Sequence, residues 1–296
     1  MKLTGIEAKR RRTALVLTAP NVLFVLAFCV LPLGVLFSYS FFQVDFVSIL
    51  REPTFDNYNR IIHSETYRGL ILKALIYGLG VAVLCGVIAY PLALFIAKRV
   101  NIYKSALLTL LLIPLYTGDL IRIFAWRVVL GAEGVLNSLL MWLGLIDEPI
   151  WFLLFSPFAT TVVLTYNYLP FMLFPLWAAI EALDDSYMEA AMDLGSRDLG
   201  VFFRIILPLS GPGLVAGFLM VFVLVVGDYL TPQLMGGSSG VTVTSAIHDM
   251  FGAAFDWPTG SALAWLLLSS MALFVACVVY GFYRSPWGRG IRKQDK

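Results

Sequence analysis

Asp228 is the residue whose type and place most need a chemical reason, because it closes the uncharged run 205–227 and stands between Gly227 and Tyr229. A carboxylate at the centre of a membrane helix costs about 2.5–3.5 kcal/mol, and less near an interface, so it must pair with a cation or face a polar path. A second acid, Asp119, precedes Arg122 by three residues, which puts both on one face of a helix. Tyr116, Trp126, Tyr166, Tyr168 and Tyr229 fall at similar depths in the apolar runs. Carboxylates beside aromatic faces suit a cation that has to leave water. Asp119 with Arg122 reads first as a structural pair and second as a substrate site. Asp228 reads the other way round, and a structural role would pair it with Arg122 or Arg127.

No residue pattern supports bond-making or bond-breaking chemistry. The chain has no G-x4-G-K-[ST] run and no Gly-Lys pair at all, so nothing here cradles nucleotide phosphates. His63 and His248 are isolated and read as surface or interface residues, no serine lies in a G-x-S-x-G context, and no paired carboxylates suggest hydrolysis. Cys29, Cys85 and Cys277 sit inside apolar runs without metal-ligand spacing and read as small buried hydrophobes.

The elements that carry these residues follow from charge spacing. At 59% hydrophobic and 14% charged, the 296 residues lack the polar surface of a soluble protein, whose charged share is about a quarter. The net charge of +2 implies no nucleic-acid partner. Uncharged runs at 13–44, 74–97, 149–180, 205–227 and 257–283 each exceed the roughly 20 helical residues that cross a bilayer. A shorter run, 105–118, spans only if the helix continues through Asp119, Arg122 and Arg127 to about Leu130. That sixth helix keeps the flanking basic clusters on one side. The expected organisation is an all-α integral membrane protein: a cytoplasmic segment 1–12, one transmembrane domain 13–284 with spans at about 13–42, 70–97, 105–130, 150–180, 205–231 and 259–283, and a cytoplasmic tail 285–296. Fifteen Lys and Arg on one side of these spans against five on the other place both termini in the cytoplasm. The first run is too long for a signal-peptide core and lacks a small-residue cleavage site after it, so it reads as a retained anchor.

Pro32, Pro91, Pro114, Pro170, Pro175 and the Gly211-Pro212-Gly213 step interrupt several spans and free backbone carbonyls for neighbours or water. The one long cytoplasmic segment, about 182–208, reads as helix, turn, helix. Ser186 is placed to cap the first helix with Glu189 completing a capping box, Gly195 to end it, and Ser196 to cap the second. Tyr187, Met188, Leu194, Leu199, Val201, Phe202 and Phe203 are more apolar than a free loop needs, so a partner or the chain's own helices should cover them.

In that loop Glu189-Ala190-Ala191, three residues, Gly195, nine residues, Ile205, one residue and Leu207-Pro208 match all seven fixed positions of the EAA signature, EAA-x3-G-x9-I-x-L-P. The chain thereby resembles the permease subunits of bacterial binding-protein-dependent ABC importers. Phe55-Asp56-Asn57-Tyr58, Pro114 to Ile123, Gly134 to Asn137, Leu169 to Trp177 and Gly227 to Gly237 are similar to the first permease of spermidine/putrescine importers.

The resemblance implies a type I ABC importer permease fold in the bacterial inner membrane, with Glu189, Ala190, Ala191, Gly195, Ile205, Leu207 and Pro208 in a coupling helix and its exit. It implies four kinds of partner: a second permease supplying the other half of the pathway, two cytoplasmic ATPases, a periplasmic binding protein and membrane lipid. ATP and magnesium would bind to the ATPases, and this chain would carry no cofactor. Asp228, Tyr229, Asp119, Tyr116, Tyr166 and Trp126 are the candidates for the substrate path. The residues do not separate putrescine from spermidine, or either from an opine. An ion-coupled secondary transporter is the other reading, and it would need inverted repeats and coupling charges near the midplane. No repeat of 20–50 residues is present.

Overall fold

The computed structural model describes Thr13 and residues 17–45 and 48–285, so the expected segment 1–12 and the tail beyond Ser285 lie outside the described residues. In chain order the elements are α1 (Leu17–Tyr39), strands β1 (Gln43–Asp45) and β2 (Ser48–Leu50), α2 (Asp56–His63), α3 (Glu65–Arg99), α4 (Lys104–Leu112), α5 (Asp119–Leu130) and α6 (Val135–Trp142). There follow α7 (Pro157–Glu181), α8 (Ser186–Asp193), α9 (Asp198–Leu209), α10 (Gly211–Gly227), α11 (Leu230–Met235), α12 (Val243–Phe251) and α13 (Trp257–Arg284). Among the described residues five helices are long and apolar enough to cross a membrane: α1, α3, α5 taken with α6, α7 and α13. The pair α9 and α10, bent by 66°, makes the sixth.

The helix expected across 105–130 is two helices. After α4 a tight 3-10 turn at Ile113–Tyr116 contains Pro114, and Thr117 and Gly118 then take extended backbone before α5 begins. Proline cannot donate to the helical ladder, and Asp119 in the first turn favours a fresh helix N-terminus there. The apolar length is made up on the other side, where α5 and α6 cover Asp119–Trp142 across a short break.

The described residues form two compact units, one of those up to 64 with 247–266, the other of 65–246 with 267–285. In the first, α1 leaves its Leu, Val and Phe side chains exposed, as a helix surrounded by lipid does. A π turn at Leu26–Val30 precedes Pro32, which has no N–H to return to the carbonyl four residues back. Buried Asn57 donates from Nδ2 to the carbonyls of Ser40 (3.0 Å) and Phe42 (2.7 Å), and the Tyr58 hydroxyl donates to Ser40 Oγ (2.8 Å). The Phe55-to-Tyr58 stretch therefore fixes the turn that follows α1.

In the second unit α3, α7 and α10 form the core. Val81, Ala82, Cys85, Ala89, Ala93 and Ile96 of α3 are buried with Met172, Leu173, Leu176 and Ile180 of α7 and Val221, Phe222, Val225 and Val226 of α10. With lipid outside, nothing hydrophobic drives these helices together, so close approach through small residues has to. Ala89, Ala93 and Ala97 recur every fourth residue on α3, as Gly213 and Gly217 do on α10. Cys85 is buried as expected, but Cys29 and Cys277 are exposed, because a span presents one face to lipid and apolar surroundings do not require protein burial there.

A Cβ added at Gly213 would collide with Ala179 Cβ and lie 2.5 Å from the Pro175 carbonyl oxygen, contacts that only a backbone shift relieves. At Gly86 the nearest atom would be Met172 Cε at 3.6 Å, an ordinary contact. Gly213→Val is thus expected to destabilise by about 1–3 kcal/mol, while Gly86→Ala stays near neutral. Thermal unfolding of the detergent-purified chain measures both, and equal midpoints for the two variants would contradict the close approach of α7 and α10.

Candidate functional site

Two places gather the chemically marked residues. The first is the connection from α7 to α10. Its helix α8 begins one residue earlier than capping by Ser186 would allow: Ser186 is its first residue, and the Ser186 N–H donates to Asp184 Oδ1 (2.9 Å). That bond holds the Asp184 carboxyl below the usual carboxylate range. Glu189 closes no capping box, because no side-chain bond caps α8 at its N-cap position, Asp185. Its carboxylate and Ala190 are exposed on the helix surface.

Gly195 does end α8, with φ +84°, in the left-handed region that glycine enters without strain. The Gly195 N–H donates to Met192 O (2.8 Å) and the Ser196 N–H to Ala191 O (3.0 Å), the paired bonds of a Schellman stop. Ser196 does not cap the second helix. α9 starts after Arg197, whose extended backbone already turns the chain, and no side-chain cap bond is made. Of the loop's apolar side chains, Val201 is buried and Phe202 meets Tyr90 edge-on at 5.1 Å, but Tyr187, Leu194, Leu199 and Phe203 remain exposed.

The second half of the signature occupies the bend. Ile205 lies in a π turn, Phe202–Ile206, and Leu207-Pro208 close α9 just before Ser210. Buried Ser210 Oγ donates to Ile206 O (2.7 Å) and lies 2.6 Å from the Tyr90 hydroxyl of α3, so the bend is pinned to a neighbouring span. Tyr90 carried no mark in the sequence, because its partner is 120 residues away.

The second place is a cleft of about 330 Å³ lined by Asp119, Tyr168, Gly227, Asp228, Tyr229 and neighbouring apolar side chains of α10 and α11. Three of the six path candidates, Asp228, Tyr229 and Asp119, therefore share one wall. Tyr116 is 88% exposed and outside it. Tyr166 and Trp126 also stand apart from its lining and meet each other edge-on at 5.3 Å. Tyr168 joins the cleft in their place.

Asp228 has hydroxyl and amide partners. Tyr168 donates its hydroxyl to Oδ2 (3.0 Å), Thr231 donates its own to Oδ2 (2.7 Å), and the Thr231 N–H donates to Oδ1 (3.0 Å). Asp228 ends α10 and, one residue before the N-cap position Tyr229, accepts an N–H from the first turn of α11. The alternative pairing with Arg122 or Arg127 is absent. Arg122 Nη2 bonds Asp119 Oδ1 and Nη1 bonds Asn167 Oδ1 (3.2 Å), while Arg127 lies over the rings of Phe124 (5.6 Å) and Phe155 (5.1 Å). Lys73 donates instead to the carbonyls of Ser239 and Val241. Asp119 thus has its counter-charge, and among the described residues Asp228 has no ion-pair partner.

Among the described residues up to six apolar helices or helix pairs are long enough to cross a membrane, and the acid-lined cleft lies beside two of them, α7 and α10. Residues 82–285 match the family described as the binding-protein-dependent transport system inner membrane component. The chain belongs to that family and is a permease subunit of an ABC importer. It is 38% identical to the spermidine/putrescine transport system permease protein PotB of Escherichia coli (strain K12), over 84% of this chain and 90% of that protein. PotB of Haemophilus influenzae (strain ATCC 51907 / DSM 11121 / KW20 / Rd) is 34% identical over 87% of this chain and 88% of its own length. A bacterial ABC transporter chain involved in the import of the acidic polysaccharide alginate shares the fold, with a TM-score of 0.73 at 19% identity, covering 95% of this chain and 98% of that one. Family membership removes the ion-coupled secondary transporter reading.

Proposed function

We propose that this chain is one of two permeases of a polyamine importer. It forms half of the pathway and receives the ATPase stroke through α8. The observation that carries the substrate class is the cleft: Asp228 without an ion-pair partner, beside Tyr168 and Tyr229, offers one ammonium group a carboxylate and aromatic faces. The similarity to PotB over most of both chains points the same way. Glu189 is the charged contact to the ATPase, Ala190 and Ala191 let its surface come close, and Gly195 lets the chain turn away. Ile205, Leu207 and Pro208 pass the motion into the bend. ATP and magnesium bind to the ATPases, and a periplasmic binding protein delivers the substrate.

The test is uptake of radiolabelled spermidine and putrescine by cells lacking other polyamine importers and carrying the complete transporter. Saturable uptake of either is expected. Uptake of neither, with an assembled complex, would overturn the polyamine assignment, and competition by an opine would redirect it.

The reading also places α8 and both termini in the cytoplasm. Ser196→Cys, in a background without Cys29, Cys85 and Cys277, should react with a membrane-impermeant maleimide only after the cells are opened. Labelling of intact cells would reverse the topology.

A further inference from the structure

The connection between α7 and α8 is gripped by a second span. Glu181 is the last residue of α7, the end at which the helix dipole disfavours a carboxylate. It is compensated by Lys104, the first residue of α4, whose Nζ donates to both Glu181 oxygens (2.7 and 2.8 Å) and to the Ala97 carbonyl (3.2 Å). Four residues further on, Asp185 precedes α8. Its Oδ1 accepts from Lys98 Nζ (2.7 Å), which also donates to the Leu183 carbonyl (2.8 Å). Lys98 lies in the last turn of α3, and its side chain is 18% exposed. The two lysines bracket one turn, 98–104, and the two acids bracket another, 181–185, so the turns are cross-linked at both ends.

We infer that Lys98 with Asp185 and Lys104 with Glu181 form a clamp that makes α8 and the 98–104 turn move as one body, so that a displacement of α8 reaches α3 directly. The inference rests on reading α8 as the ATPase-docking helix. Apart from the clamp, α8 meets the rest of the chain through its connection to α7 and its packing along α9. An isolated exposed ion pair holds little by itself. Here each ammonium also satisfies a backbone carbonyl, and the two pairs share the same two turns, so releasing one lysine frees both a carboxylate and a carbonyl. Lys98 and Lys104 are positioning residues in this scheme, since neither touches substrate or nucleotide.

Spin labels at Met192→Cys on α8 and Ile102→Cys on the turn, both exposed positions, read the clamp in the complete complex after Cys29, Cys85 and Cys277 are replaced by alanine. With the native clamp the separation should be narrow, and should change by less than about 2 Å between the nucleotide-free and the ATP–vanadate states, the scale of a helix shift. Lys98→Glu should broaden it, and Lys98→Glu with Asp185→Lys should restore most of the narrow distribution. Should Lys98→Glu fail to assemble, Asp185→Asn removes the pair without reversing a charge and should also broaden the distribution. A distribution in the broken-clamp variant as narrow as the native one, or a double reversal no better than the single, would overturn the clamp. The docking reading fails separately, if Glu189→Arg keeps the ATPase bound.

Discussion

Glu189→Arg and Gly195→Val should each strip the ATPase from the purified complex while leaving the membrane part folded. Glu189 is exposed and caps nothing, so replacing it removes no internal bond of this chain. What the arginine changes is the charge offered to the partner. Breaking a desolvated pair across an interface costs about 2–5 kcal/mol, or roughly 30- to 5,000-fold in affinity. Gly195 acts through the backbone. No atom lies within 4 Å of the Cβ it lacks, so valine meets no steric wall, but φ +84° is a conformation that a side chain resists by about 1–2 kcal/mol and a β-branched one resists more. Loss of the Schellman bonds from Gly195 and Ser196 then lets α8 fray at the end nearest α9. Co-purification of the ATPase and ATP hydrolysis by the complex measure both effects. Normal values of both for the two variants would remove α8 from the coupling path.

The loop was legible because its signature is local: seven positions within twenty residues record a turn that needs glycine, an entry into a span and a small-residue surface. Each expected cap lies one residue from the observed N-cap, Asp185 for α8 and Arg197 for α9, because neighbouring polar side chains such as Asp184, Asp185 and Ser186 can serve the same first-turn N–H groups and only backbone geometry decides among them. Charge spacing located the spans but could not show that the third breaks at Thr117–Gly118. An apolar run with one proline is equally consistent with a kink or a stop. The cleft was half legible. Asp228 and Tyr229 announce themselves by interrupting an apolar run, and Tyr168 stands out only as one of several aromatics at that depth, because the Asp228 it binds is 60 residues away. Asn137 shows the same limit: it is fully buried, donating to Gly131 O and accepting the Ile150 N–H, so its place in a family-like stretch reflects packing.

Asp228→Asn should lower spermidine uptake at least tenfold with assembly and basal ATP hydrolysis preserved, and the geometry explains why the two effects separate. The structural work of Asp228 is to accept the Thr231 N–H at Oδ1, and asparagine caps a helix start as well as aspartate does. Its amide group can donate to the Tyr168 and Thr231 hydroxyl oxygens, which turn to accept, so those two contacts survive with reversed direction and the Thr231 N–H still donates to Oδ1. Only the charge is lost. Asp119 cannot replace it, being held by Arg122, so the cleft would have no net negative charge left for an ammonium group. A tenfold loss corresponds to about 1.4 kcal/mol, well within what one partly desolvated carboxylate supplies to a cation. Asp228→Ala should behave differently, because it also removes the acceptor of the Thr231 N–H, at about 1 kcal/mol, and leaves the Tyr168 hydroxyl without its acceptor. Assembly should fall in that variant alone. Thr231→Val, which keeps the charge and loses one hydroxyl bond, should retain most uptake. Native uptake by Asp228→Asn would dismiss the carboxylate as a substrate contact, and poor assembly of that variant would show that its hydrogen bonds, rather than its charge, are what the cleft requires.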